Sequence, residues 1–263
     1  MGFEKIIFEK QDGIGIITLN DPANRNTISG SIVGELGCCL DDCSDDPEVR
    51  TIVLRGEGKV FSAGGNINVM KRRIEEGKYH EFGPAMKKLA IVIEKLRNIR
   101  KPIIASVQGA AAGGGLGMIM FCDFRIVAED AKLVFPFTNL GLIPDCGATL
   151  ALLRMIGVAK TTELLMTSKL LSGKEAYEWG IVNQSVPAEK LNETTQNFAK
   201  TLAKGPTIAY GRLKTMINRL AFEGLDFQLE NEAEYQELCA RSEDHKQGVY
   251  AFIEKRKPVF KGI

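Results

Sequence analysis

The chain has 263 residues, 44% hydrophobic and 25% charged, which excludes a disordered polymer and fits one large globular domain or one domain with an appendage. Its 34 basic and 33 acidic residues leave a formal charge of +1, so no global field draws it to nucleic acid or an anionic membrane. No apolar run reaches the roughly 18 residues that span a bilayer. Met1-Gly2-Phe3-Glu4-Lys5 lacks the basic-then-apolar pattern of a secretory signal. The six cysteines do not form a disulfide framework, so a reducing cytoplasm is the expected location.

Taken in chain order, Lys5–Glu9 and Gly15–Asn20 are predicted strands, and Asp21-Pro22 is a turn. Ser29 to about Asp42 is a predicted helix with Ile32, Val33, Leu36 and Leu40 on one side, stopped by Asp46-Pro47. Thr51–Leu54 is a buried strand that runs into a loop holding Gly56, Gly58, Gly64 and Gly65. Lys71–Glu81 is polar and is expected to be mobile or loosely helical. Pro84 opens a helix to about Asn98, with Met86, Leu89, Ile93 and Leu96 on one apolar face. Ile103–Val107 is a second buried strand. It leads into Gly109–Gly115, where nothing is larger than alanine. Gly117–Phe121 is expected to enter the core as a helix, and Phe124–Val127 to return as a strand. Beyond residue 147 the pattern is helical, divided by Pro187, Gly205-Pro206 and Gly224. A soft boundary near residue 200 separates a mixed α/β core, 1–200, from a helical region, 201–263.

The glycine runs do not fit the familiar phosphate loops. Counting a dinucleotide fingerprint from Gly113 or Gly115 puts Met118 or Met120 at its last glycine, and the P-loop position before Gly58-Lys59 holds Val53. His80 and His245 are the only histidines and no Cys-x-x-Cys occurs, so neither a metal site nor a histidine-activated nucleophile is expected. Cys39 and Cys43, one helical turn apart, are read as buried thiols. Two glycine loops, each leaving a buried strand for a helix, have two readings. They are either close packing and tight turns, or two backbone N–H groups aimed at one point as an oxyanion hole. A helix starting at the triple glycine adds its positive end, which suits an enolate oxygen.

Phe61-Ser62-Ala63-Gly64-Gly65-Asn66-Ile67 and Gly113-Gly114-Gly115 resemble the two oxyanion-hole loops of the crotonase (enoyl-CoA hydratase/isomerase) superfamily. The resemblance continues through Phe124–Ala128, Leu140–Pro144 and Phe252–Pro258, and so covers nearly the whole chain. It implies an α/β spiral of ββα units with a helical C-terminal trimerisation region, and a homo-oligomer, either a trimer or a dimer of trimers. The implied substrate is an acyl-CoA thioester, with no further cofactor, no metal, no nucleic acid and no membrane partner. Within the superfamily, hydratases carry two glutamates whose positions here are Gly117 and Phe137, so ordinary hydratase chemistry is not expected. Asp145, in Gly141-Leu142-Ile143-Pro144-Asp145-Cys146-Gly147, resembles the acid/base of the 1,2-epoxyphenylacetyl-CoA isomerase and 3-enoyl-CoA isomerase branch. Leu171–Ala176, Glu178-Trp179-Gly180 and Arg241–Asp244 match the same branch.

By this resemblance Asp145, Gly65 and Gly114 are the catalytic candidates. Arg25, Ala63, Asn66, Ile67, Asn68, Phe137, Phe252 and Lys255 join Gly65 and Gly114 as candidates for binding CoA and the acyl group. The residues alone leave plainer roles open. Asp145 is also placed to cap the helix that follows it, Arg25 reads equally as a solvated turn residue, and Phe252 and Lys255 fit an ordinary amphipathic end helix. The expected activity is the shift of a double bond from 3-enoyl-CoA to 2-enoyl-CoA through an enolate. The alternatives are isomerisation of an aromatic-ring epoxide thioester, hydration of enoyl-CoA, and a non-enzymatic acyl-CoA binder.

Overall fold

A computed structural model describes residues 2–263. The chain opens with an antiparallel hairpin of β1 (Ile6–Gln11) and β2 (Ile14–Leu19). Asp12 and Gly13 both take positive φ, as a tight two-residue turn requires. Helix α1 (Gly30–Asp45) is capped by the Ser29 hydroxyl, which accepts from the Ile32 N–H. It leads to β3 (Thr51–Gly56), which lies parallel to β2. Next come α2 (Ile67–Glu75) and α3 (Phe82–Asn98). The segment expected to be mobile or loosely helical is thus largely helix. Asn66 caps α2, Ile74 is buried, and a 3₁₀ turn at Tyr79–Glu81 joins the two helices. Helix α3 begins two residues before Pro84, which is tolerated in a first turn because the N–H it lacks has no intrahelical partner there.

The next two units give the molecule its form. Strand β4 (Ile103–Val107) joins the large sheet, β5 (Ala110–Ala112) starts a small one, and α4 (Gly114–Ile119) follows at once. The sequence repeats with β6 (Phe124–Ala128) in the large sheet, β7 (Lys132–Val134) in the small one, then α5 (Ala148–Met166). A lone bridge from Ser62 to Ala111 gives β3 and α2 the same relation. These are turns of a ββα spiral. Strand β8 (Leu171–Ser172), α6 (Gly173–Glu178) and β9 (Gln184–Val186) complete the sheets, ordered β1-β2-β3-β4-β6-β9 and β5-β7-β8. The inner strands are parallel and buried on both faces, which is why they read as unbroken apolar runs.

Four helices end the chain: α7 (Leu191–Ala203), α8 (Thr207–Ala221), α9 (Leu225–Ala240) and α10 (Glu243–Ile253). Helix α7 packs on β3, β4 and β6. The boundary expected near residue 200 falls inside this helix, whose last turn ends just before Gly205-Pro206. Helix α8 is tied to the core by Lys214, whose ammonium lies 2.7 Å from Asp123 and also donates to the Leu96 carbonyl at 2.9 Å. Helix α9 packs along α3 and reaches Gly147 through Glu232.

Candidate active site

The first glycine loop is held by a residue that sequence reasoning did not single out. Asn26 is buried and sits at φ 51°, a left-handed conformation that Asn tolerates better than most residues. Its Nδ2 donates to the carbonyls of Glu57, Val60 and Phe61 at 2.9, 3.0 and 3.1 Å, and its Oδ1 accepts from the Asp21 N–H at 2.8 Å. Its own carbonyl accepts from Ser62 Oγ at 2.7 Å, and that hydroxyl accepts from the Gly64 N–H. The Arg25 carbonyl accepts from the Ala63 N–H. Replacing Asn26 with Ala leaves three carbonyls, that of Phe61 buried, short of a donor and puts alanine at a positive φ. The expected cost is about 2–4 kcal/mol in chemical denaturation.

The two glycine loops meet backbone to backbone. Gly64 has φ 77°, and a Cβ there would lie 2.4 Å from the Ala112 carbonyl oxygen. A Cβ on Gly115 would lie 2.6 Å from Ser62. These glycines allow close approach. Gly65 and Gly114 stand at the junction, and among the described residues neither amide donates to a protein acceptor. Gly114 is the first residue of α4, where an N–H has no intrahelical partner and the helix dipole is positive. Two amides without protein acceptors and a helix start thus lie on one cavity wall.

Asp145 faces this junction. Its Oδ1 would be 3.2 Å from a Cβ on Gly114, and it has no hydrogen-bond partner. The capping role left open for Asp145 does not hold. The N-cap of α5 is Gly147, which has no side-chain cap, because Cys146 and Gly147 both take positive φ and carry the chain past the aspartate before the helix starts. Asp145 as a residue is 8% exposed, and its Oδ1 is buried. Burial pushes its pKa up to about 6, while the Cys146 thiol and Gln236 beside it pull the other way.

A cavity of about 590 Å³ opens over these groups, and Gly65, Gly114, Phe137 and Asp145 all line it. So do Ala63, Asn66, Ile67 and Phe252, the last from α10. Arg25, Asn68 and Lys255 are not on its wall. Arg25 is exposed and contributes its backbone to the first loop, and Asn68 donates its N–H to Asn66 Oδ1 at 2.9 Å within the cap of α2. Lys255 follows α10, exposed and at φ 55°. A side chain at position 117 has no room, since a Cβ there would lie 2.8 Å from the Cys146 Cβ and 3.1 Å from the Asp145 carbonyl oxygen.

Two more buried polar residues on α9 went unnoticed in the sequence. Glu232 Oε2 accepts from the Gly147 N–H at 2.8 Å and its Oε1 from Gln228 at 3.0 Å, and burial pushes its pKa up to about 7. Gln236, one turn later, lines the cavity. The available signal was weak: two polar residues one turn apart, in a helix whose aromatic residues point outward.

Residues 9–263 match the family model described as enoyl-CoA hydratase/isomerase. The chain belongs to this family. It is 36% identical to 1,2-epoxyphenylacetyl-CoA isomerase of Escherichia coli strain K12, over 98% of this chain and 99% of that one. It is 38% identical to a probable enoyl-CoA hydratase of Bacillus subtilis strain 168, over 95% of each. Among solved structures, an enoyl-CoA hydratase of Mycobacterium avium subsp. paratuberculosis K-10 superposes with a TM-score of 0.90 at 25% identity, covering 99% of this chain and 100% of that one. This enoyl-CoA hydratase/isomerase family enzyme therefore acts on acyl-CoA thioesters. Relatives of both names lie at similar identity, so the reaction has to be argued from the site.

Proposed function

We propose that the enzyme moves a double bond from 3-enoyl-CoA to 2-enoyl-CoA, with Asp145 as the one proton carrier. The observation that supports this most is a buried carboxyl with a partnerless oxygen, set against Gly114 beside two free amides. The thioester oxygen sits between the N–H groups of Gly65 and Gly114. Asp145 removes a proton from C2, and the C–H electron pair becomes the C1–C2 double bond of a dienolate. Negative charge gathers on the oxygen, so those donors bind the transition state more tightly than the substrate, each worth a factor of about 10²–10³. Asp145 then returns the proton to C4, the C2–C3 double bond forms and the carbonyl is restored. Substrate and product are at one oxidation state, so the step calls for no redox cofactor.

The rest of the thioester is assigned by the same reading. Asn66, Ile67 and Asn68 hold the adenosine end of CoA, with Ala63 beside them and Arg25 near the phosphates. Phe137 bounds the acyl group, and Phe252 and Lys255 help close a site between subunits. Exposed apolar residues on α8, Ile208, Met216 and Leu220, suit burial in the proposed trimer or dimer of trimers. Hydration lacks support because positions 117 and 137 offer no carboxylate to hold and deprotonate water. The 36% identical isomerase favours a second reading, in which the same aspartate isomerises an aromatic-ring epoxide thioester.

Incubation with 3-hexenoyl-CoA, crotonyl-CoA and an aromatic-ring epoxide thioester tests the choice. The proposal expects turnover of the first, and turnover of crotonyl-CoA alone would overturn it. The proton acceptor must be ionised, so kcat/KM should rise with pH through about 6, where Asp145 titrates, and level off above it. Asp145 and Glu232 both have folded pKa values raised above their ordinary 3.8 and 4.5. Their contribution to stability is therefore greatest at low pH, where both are neutral in either state, and is lost as pH rises toward about 7.

A further inference from the structure

Helix α9 reaches the Asp145 turn at two successive levels. Glu232 fixes the backbone just after the aspartate through the Gly147 N–H. One turn on, Gln236 shares the cavity wall with Asp145 and is 2% exposed. Its side chain lies beside the carboxyl on the same cavity wall and favours the charged form. Yet Gln236 Oε1 and Asp145 Oδ1 are both buried without a partner among the described residues. A protonated Asp145 would supply the one hydrogen that two such acceptors, once brought into contact, can share.

We propose that Gln236 is the positioning residue for Asp145, its Nε2 donating to the ionised carboxylate and its Oε1 accepting from the protonated carboxyl, so that the proton taken from C2 is kept for C4. This rests on the base assignment above. The proton on Asp145 comes from C2 and leaves to C4, and Gln236 neither gains nor loses one. The titratable groups facing Asp145 are few. Cys146 adjoins it and Glu232 lies on α9, whereas α4 presents only glycine, leucine, methionine and isoleucine. Arg72, Arg73, His80, Glu81 and Lys88 stand elsewhere along the cavity wall, and His245 on α10 is bonded to the Leu140 carbonyl.

The test compares the full chain with Gln236→Met and Gln236→Glu, using 3-hexenoyl-CoA. It reads the pH profile of kcat and the solvent deuterium in the product formed in D₂O. For Gln236→Met we expect kcat down about tenfold, the scale of one lost hydrogen bond, with KM within about twofold. The acid limb should move to higher pH, because the donor to the ionised form is gone, and the deuterium share should rise. The nearly isosteric Gln236→Glu adds a like charge and should move the limb further, and it decides alone if the Met variant does not fold. An acid limb that stays in place, or an unchanged deuterium share, overturns the proposal. Asp145→Asn assayed alongside separates the two claims. If it keeps its activity, the base assignment falls. If it is inactive while the Gln236 variants keep the wild-type profile, only the role of Gln236 falls.

Discussion

Asp145→Asn should lower the rate of 3-hexenoyl-CoA isomerisation by about 10²–10⁴-fold, the usual contribution of a positioned acid/base group. The amide nearly matches the carboxylate in size and has no basic oxygen, so substrate affinity should change little. Stability should move the other way. A carboxylate whose pKa is pushed from 3.8 to about 6 by burial strains the fold once pH exceeds both values. Relieving that strain at pH 7 is worth on the order of 2–3 kcal/mol. The variant should therefore melt no lower than the wild type while being nearly inactive. Activity lost together with a lower melting temperature would instead mark Asp145 as a structural residue.

Gly64→Ala should damage both fold and rate. The new methyl would stand 2.4 Å from the Ala112 carbonyl oxygen and 3.3 Å from the Gly113 Cα, at a φ of 77° that alanine avoids. Those obstacles are backbone atoms, so the two loops must separate. The expected loss is roughly 2–5 kcal/mol in denaturant unfolding. Because Gly65 and Gly114 sit on either side of this contact, a shift of about 1 Å misaligns the donor pair and should cost about 10²-fold in kcat. Gly180→Ala makes a control, since a Cβ there meets nothing within 4 Å although its φ is 82°. It should show backbone strain with little effect on rate.

The parts of the fold that were legible in the sequence follow simple rules. Thr51–Leu54 and Ile103–Val107 read as buried strands because parallel strands covered on both faces carry no polar alternation. The glycine loops after them were legible because only glycine permits the approaches at Gly64 and Gly115. Residues 71–81 read only as mobile or loosely helical, because their charges hid how the Asn66 cap and one buried side chain, Ile74, fix a short helix. Asp145 was misleading as a cap because the left-handed pair Cys146-Gly147 cannot be foreseen from residue types that also suit a helix start. Glu232 and Gln236 were invisible for a different reason. They are buried while Phe227 and Leu238 on the same helix are exposed, which inverts the apolar-inside pattern that sequence reading depends on. Asn26 was hidden too, because a polar residue in a polar turn gives no hint that it anchors three carbonyls from a distant loop.

In the proposed reaction one carboxyl carries hydrogen between two carbons of the same thioester. Single turnover of 3-hexenoyl-CoA deuterated at C2, run in ordinary water, follows that hydrogen directly. The expected product is 2-hexenoyl-CoA with deuterium recovered at C4. A 3-hydroxyacyl product, or a 2-enoyl product whose C4 hydrogen comes entirely from solvent, would contradict it.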